Sequence, residues 1–91
     1  MTVYVDDLHR YQTRGFTTWC HCWADSEAEL LAMADVIGLK HDWIQRQPIH
    51  APVDPHFDLS ASKRELALAH GAVYMKVADF LREYKAREGQ P

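Results

Sequence analysis

One segment of this sequence carries the signals for both ends of a helix. Ser26, with Glu29 three positions later, has the spacing of a capping box, which closes a helix N-terminus. Gly38 stands where a left-handed C-terminal cap belongs. Between these ends, apolar side chains recur at helical spacing at Leu30, Met33, Ala34 and Ile37. Because a helix with one apolar stripe buries that stripe against another element, the segment predicts a layered domain.

Two segments before this helix have the composition of β-strands. Thr2–Val5 is a β-branched and aromatic run, and Phe16–Trp23 is rich in threonine and aromatic residues. Leu8–Gly15 between them is polar, so we expect a loop there. Strand alternation divides the second segment into two faces, one with Thr17, Trp19, His21 and Trp23 and the other with Thr18, Cys20, Cys22 and Ala24.

A second helix begins near Ser60. Ser60 can cap a segment that runs to about His70 and stops at Gly71. Ser62 with Glu65 forms a competing capping box, so the helix starts at one of two positions two residues apart.

The remaining segments predict one strand and one further helix. Ala72–Lys76 has strand character, and a final helix follows with its apolar stripe at Val77, Phe80, Leu81 and Tyr84. Trp43-Ile44-Gln45 is compatible with either a short strand or a helical turn. Three prolines exclude a regular element from the loop at 46–55, and residues 88–91 are expected to fray.

Size and composition place the whole chain in one domain. Its 91 residues leave no room for a second core, and its 47% hydrophobic and 25% charged residues are ordinary globular values. We predict a single domain over residues 1–91, in the α/β or α+β class. Its small three-stranded, partly parallel sheet is expected to pack with about three helices.

Charge and hydropathy limit the partners. A net charge of -3 and a pI of about 6.0 argue against a dedicated nucleic-acid surface. No apolar run approaches the roughly 20 residues that span a bilayer, and the first residues lack signal-peptide features, so we expect a cytoplasmic protein. A homo-oligomer is compatible with the sequence. Cys20 and Cys22 are predicted to be small buried apolar side chains rather than a disulfide.

Candidate functional residues lie near the first two strands. Asp6 and Asp7 follow the first strand, and ligands of open α/β sheets bind just beyond such strand ends. Only one of these acids needs to face a site, and we take Asp6; the alternative is an aspartate that caps local amides. His21 lies between Trp19 and Trp23 on one strand face, where it is either a core histidine with one hydrogen bond or a ligand.

A third cluster begins at His56. On an extended segment, His56 and Asp58 project to one side, which suits two metal ligands or an acid–base pair, while Phe57 faces the core. The helix that starts at Ser60 offers an anion site, to which Lys63 and Arg64 add positive charge; a solvated helix face is the alternative. The other histidines are expected to be surface residues (His9, His41), a mobile accessory ligand (His50) and a structural residue (His70).

The order of these motifs resembles a known family. The segments VYVDD, Trp19-Cys20-His21, EAELLAMADVIGL and HFDLSASKRELALAHGAV are similar to bacterial and phage domains of the domain-of-unknown-function 4031 family, from Thr2 to about Val77. The resemblance implies no established activity. By this resemblance, the candidate site residues are Asp6, His21, His56 and Asp58, followed by Lys63 and Arg64. The chain departs from the family pattern in its longer segment between Trp43 and His56 and in having Cys22 at a commonly aliphatic position.

Two classes of function stay open on the sequence. In the first, Asp6, His21, His56 and Asp58 hold a divalent ion, with Mn, Zn or Fe favoured over Mg or Ca by the mixed ligands. Ser60, Lys63 and Arg64 then hold the phosphate of a phosphoester or nucleotide. In the second, the chain is a non-catalytic module that binds a protein through exposed tryptophans, and the polar cluster is structural. No phosphate-binding glycine loop or dinucleotide motif is present.

Overall fold

The computed structural model describes residues 2–13, 16–46 and 55–88. Within them the chain forms β1 (Val3–Val5), β2 (His9–Thr13), β3 (Phe16–Ala24), α1 (Glu27–Ile37), β4 (Phe57–Ser60), α2 (Ala61–Ala69), β5 (Val73–Tyr74) and α3 (Val77–Glu88). A 3₁₀ turn at His41–Trp43 lies between α1 and β4. The predicted α+β class is confirmed. No helix in these ranges is both long and apolar enough to cross a bilayer.

The strand β3 is the centre of the sheet. Trp19 of β3 pairs with His9 of β2 on one side and Ser60 of β4 on the other, and both pairings are antiparallel. Further along, β1 pairs antiparallel with β3 at Cys22, which again has β4 as its other neighbour. Therefore β1 and β2 follow one another along the same edge of β3. On the far side of β1, β5 runs parallel to it, so the sheet is partly parallel as predicted.

The predicted count of three strands is wrong, for two reasons. The segment expected to be a loop, Leu8–Gly15, contains β2 at His9–Thr13, because pairing with β3 overrides its polar composition. The extended segment at Phe57–Ser60 is a strand of the sheet and not only a linker into α2. In addition, the strand expected at Ala72–Lys76 is shorter, at Val73–Tyr74.

The ends of α1 and α2 follow the predicted chemistry. The Ser26 hydroxyl accepts a hydrogen bond from the Glu29 backbone N–H at 3.2 Å, and Gly38 adopts a left-handed conformation with φ 81°. For α2 the earlier of the two starts is used: Ser60 is the N-cap and accepts from the Lys63 backbone N–H. Gly71 follows the end of α2 with φ 103°.

The segment around Trp43 combines both of its predicted alternatives. His41–Trp43 is a helical turn, and the chain becomes extended at Ile44. Gln45 then forms an isolated antiparallel bridge with His56, just before β4. The proline-rich residues 47–54, which include His50, and the tail at 89–91 lie outside the described residues.

The two faces of the sheet have different roles. One face packs against α1 and α2 in the main core, which holds Val3, Val5, Cys20, Cys22, Leu30, Met33, Ala34, Ile37, Phe57, Leu59, Ala67 and Ala72. Both cysteines are buried and free, as predicted. On the other face, Tyr4 and Trp23 pack with Phe80 of α3 in a smaller aromatic cluster. The rest of that second face carries the polar side chains described next.

Candidate metal centre

Three neighbouring stretches of chain bring the predicted ligands onto one face of the sheet. His21 lies in the middle of β3 and is paired across the sheet with Asp58 of β4. On the opposite edge, Asp6 follows β1, and its backbone N–H donates to the His21 carbonyl at 3.3 Å. The three residues thus stand side by side because directly opposed residues of antiparallel strands share a face.

Asp6 is a buried carboxylate with all of its oxygens engaged. Its side chain accepts from the His21 backbone N–H at 2.7 Å through Oδ1, while Oδ2 lies 2.7 Å from His21 Nδ1 and 3.1 Å from His9 Nε2. Its carbonyl accepts from Arg64 Nε at 2.9 Å. Burial is the largest influence and opposes ionisation, but the hydrogen bonds from His21 and His9 outweigh it, so the pKa of Asp6 lies below its usual value.

His21 is oriented by Asp6. The hydrogen bond to this carboxylate raises the pKa of His21, against the lowering effect of partial burial. When Nδ1 of a neutral imidazole donates to a carboxylate, the lone pair that remains for a ligand is on Nε2. This carboxylate–histidine arrangement commonly orients metal-binding histidines in proteins.

His56 and Asp58 form the other half of the site. His56 is 4% exposed, and its Nε2 lies 3.6 Å from Asp58 Oδ1, too far for a hydrogen bond. Asp58 Oδ2 accepts from Gln45 Nε2 at 2.7 Å. Asp58 Oδ1 is buried and has no hydrogen-bond partner among the described residues. A buried oxygen left in this state costs about 1–3 kcal/mol, which a bound cation would offset.

Two overlapping groups have the geometry of a three-ligand metal site. One is Asp6, His9 and His21, and the other is His21, His56 and Asp58; within each group the potential ligand atoms lie within 4.8 Å of one another. In the first group the atoms already satisfy each other through hydrogen bonds. The second group contains Asp58 Oδ1, which has no hydrogen bond within the described residues and lies 3.6 Å from His56 Nε2, so it is the better candidate.

The donor set of the second group fits a transition metal. Nitrogen and oxygen ligands lie about 2.0–2.2 Å from zinc, which places tetrahedral neighbours about 3.4 Å apart. The 3.6 Å between His56 Nε2 and Asp58 Oδ1 is close to that spacing. Two histidines and one carboxylate leave coordination positions open, as in catalytic zinc sites and non-haem iron sites.

Sequence reasoning missed two contributors to the cluster. His9 was expected at the surface and its side chain is 40% exposed, but its imidazole also reaches Asp6 and lies near Trp19, with ring centroids 4.9 Å apart. His9 follows Asp6 by three residues, and this spacing indicates that the two side chains meet only once β2 is known to be a strand. Gln45 carries no local signal, because its bridge to His56 joins segments on either side of residues 47–54. Asp7 turns away and accepts from the Tyr74 hydroxyl at 2.9 Å.

The three residues predicted to bind an anion are divided by the fold. Ser60 and Lys63 line a cavity of about 550 Å³ beside the site, together with Leu39, Trp43, Gln45 and Asp58. Lys63 Nζ also donates to the Ile37 carbonyl at 2.6 Å, at the C-terminal end of α1. Arg64 donates to Asp6 and lies over the Tyr74 ring. These contacts give the positive charges in the first turn of α2 partners within the protein, and the anion-binding role stays a prediction.

Two of the remaining histidines lie apart from the cluster. His41 Nε2 lies 2.7 Å from a carboxylate oxygen of Asp35, and both side chains are exposed. His70 is the C-cap of α2, where its backbone N–H bonds to carbonyls of that helix.

Comparison with known proteins agrees with the resemblance in the sequence. The model of the family described as "Protein of unknown function (DUF4031)" matches residues 3–87. No curated protein and no solved structure is similar enough to the chain to count as a match. Residues 3–87 span β1 to α3 and include every residue of the cluster, and the chain belongs to the DUF4031 family.

Proposed function

We propose that this protein binds one divalent transition metal, Zn, Mn or Fe, through His21, His56 and Asp58. The observation that carries the proposal is Asp58 Oδ1, a buried carboxylate oxygen that has no hydrogen-bond donor among residues 2–13, 16–46 and 55–88 and lies 3.6 Å from the ring nitrogen of His56. A cation between them satisfies the oxygen and explains why two histidines and a carboxylate are gathered there.

Residues around the three ligands position them. Asp6 accepts from His21 Nδ1 and leaves Nε2 for the ion, and His9 supports Asp6 from the other side. Gln45 donates to Asp58 Oδ2, so that Oδ1 is the carboxylate oxygen that faces the ion. Asp6, one of the four ligands expected from the sequence, is in this proposal a positioning residue.

The open coordination positions support hydrolysis of a phosphoester. A bound divalent ion lowers the pKa of a coordinated water and polarises a phosphoryl oxygen. With an ion held by His21, His56 and Asp58, a coordinated water would supply hydroxide to phosphorus, the phosphorus–oxygen bond to the leaving group would break, and the departing oxygen would take up the proton that the water lost. Lys63 and Ser60 line the adjoining cavity, where the Lys63 ammonium, which donates to the Ile37 carbonyl among the described residues, has further N–H donors that favour a phosphate.

Metal titration of graded variants tests the ligand assignment. Chelator-treated protein is titrated with Mn²⁺ and Zn²⁺ by calorimetry, and the thermal midpoint is measured in parallel. We expect one equivalent of metal and a higher midpoint for the wild type. Asp58→Asn and His56→Ala are expected to abolish both effects, whereas Asp6→Asn weakens affinity about 10–100-fold as an orienting residue does.

A matched control and a discriminating variant complete the metal test. His41→Ala removes an exposed histidine–carboxylate pair elsewhere and is expected to leave metal affinity unchanged. Failure of both ions to bind, or binding that survives Asp58→Asn but is lost in His9→Ala, would contradict the ligand assignment. Release of p-nitrophenol from p-nitrophenyl phosphate with Mn²⁺, absent in Asp58→Asn, tests hydrolysis separately.

A non-catalytic protein-binding module is the second candidate. It is favoured by the large apolar side chains at the surface, among them Trp43 at 54% and Val36 at 56% exposure. Of the other tryptophans, Trp23 is fully buried and Trp19 is half-buried, so neither offers a comparable surface. A change of elution volume in size-exclusion chromatography on Trp43→Ala would favour this candidate.

A further inference from the structure

The cavity beside the candidate metal ligands has a mixed polar and apolar lining. Asp58, Ser60 and Lys63 supply charged and hydroxyl groups, and Leu39 with Trp43 supplies apolar surface. Its volume of about 550 Å³ lies within the range that small-molecule ligands occupy in proteins, about 300–1,000 Å³. With a cation at Asp58, this lining suits a ligand that combines a planar apolar part with an anionic part.

The indole of Trp43 lines the cavity and is largely exposed. It belongs to the 3₁₀ turn at His41–Trp43, and the Lys40 ammonium lies 5.8 Å from the ring centroid. Nevertheless the side chain is 54% exposed, which is unusual for the largest apolar residue of a small protein. Exposed indoles that line a cavity stack readily on heteroaromatic rings, and the stacking tolerates different bases.

Gln45 adds an amide to the lining of the cavity. Its amide nitrogen donates to Asp58, which fixes the amide and assigns its oxygen as the acceptor. The side chain also lines the cavity, so this oxygen can accept from an N–H on the edge of a bound ring. Within the described part of the chain the Lys63 ammonium donates to the Ile37 carbonyl, and an ammonium has further N–H donors that can bind a phosphate.

We propose that this cavity binds a nucleoside monophosphate, with the base stacked on Trp43 and the phosphate at the ion held by Asp58. The inference rests on the proposed metal function, because the ion supplies much of the phosphate affinity. It adds the substrate class to that function. It also assigns to Trp43 the preference for nucleotides over phosphates that lack a base. Neither assignment depends on whether the bound phosphoester is hydrolysed.

Binding of matched ligands to the Mn²⁺-loaded protein tests the inference. The probes are AMP, GMP, CMP and UMP, with ribose 5-phosphate as the ligand that lacks a base and inorganic phosphate as the ligand that lacks both. At least one nucleotide is expected to bind more tightly than ribose 5-phosphate. Trp43→Ala is expected to weaken that nucleotide about 5–150-fold, the range for loss of one base–aromatic stack, and to leave ribose 5-phosphate unchanged. Trp43→Phe keeps a ring and is expected to retain most of the affinity.

The outcomes separate this inference from the metal function. Metal content is measured on every sample, so loss of Mn²⁺ binding overturns the proposed function itself. If Mn²⁺ binds but no nucleotide exceeds ribose 5-phosphate, or if Trp43→Ala weakens both equally, the nucleotide assignment is overturned and the metal site stands. A change in elution volume for Trp43→Ala would place the indole in a protein interface and would also overturn it.

Discussion

Asp6 and His21 change their proton affinities in opposite directions when the chain folds. The pKa of Asp6 falls below its ordinary value of 3.8, and the pKa of His21 rises above its ordinary value of 6.5. The contribution of Asp6 to stability is complete above pH 3.8 and is lost as the pH falls through its lowered pKa. The contribution of His21 is complete below pH 6.5 and is lost as the pH rises through its raised pKa.

The Asp6–His21 pair should therefore contribute most to the stability of the metal-free protein between about pH 4 and pH 6.5. In Asp6→Asn the amide oxygen can still accept from the His21 backbone, but the carboxylate charge is gone. We expect the variant to be less stable than the wild type by about 1–3 kcal/mol within this window, and by less on either side. Chemical denaturation in chelator across pH 3–9 measures the difference. A difference that does not vary with pH would show that the pair is not ionised as described.

Among the helices and strands, the sequence predicts the features that neighbouring residues determine. It misses the features that contacts with residues far along the chain determine. The caps of α1 and the face alternation of β3 follow from local spacing, and so does the projection of His56 and Asp58 to one side. The strand β2 is formed by its pairing with β3, which its polar composition does not reveal. His9 and Gln45 were missed for the same reason, since both enter the cluster through pairings across the sheet.

The junction of α1 and α2 gives a prediction at the same scale. Gly38 has φ 81°, and a Cβ there would lie 3.3 Å from Lys63 Nζ, the group that caps the C-terminal end of α1. Gly38→Ala is expected to lower the free energy of unfolding by about 1–2 kcal/mol through backbone strain. Gly38→Asn is the matched control, because asparagine has the same Cβ but tolerates the left-handed conformation. Urea denaturation of both variants measures the strain; equal losses would assign the cost to the contact with Lys63 instead.

For the whole molecule, the strand β3 contributes side chains to both faces of the sheet. His21 lies between Cys20 and Cys22 on β3, so the candidate ligand points to one face while the two thiols point into the main core on the other. Burial raises the pKa of each thiol to about 12, and the side chains are at most 1% exposed. Alkylation of either cysteine therefore requires β3 to become exposed, which also breaks up the ligand set.

This coupling predicts that metal protects the core thiols from a distance. An ion that binds only the folded state at 100 times its dissociation constant stabilises that state by about 2.7 kcal/mol, which slows labelling through global opening about 100-fold. We expect iodoacetamide to label Cys20 and Cys22 about 100-fold more slowly in saturating Mn²⁺ than in chelator, and to label Asp58→Asn at the same rate in both. Mn²⁺ is preferred to Zn²⁺ because it has a low affinity for thiolates. Equal labelling rates of the wild type in Mn²⁺ and chelator would mean that the ion does not bind through β3. Protection in the wild type alone would mean that Asp58, His21 and the main core unfold together.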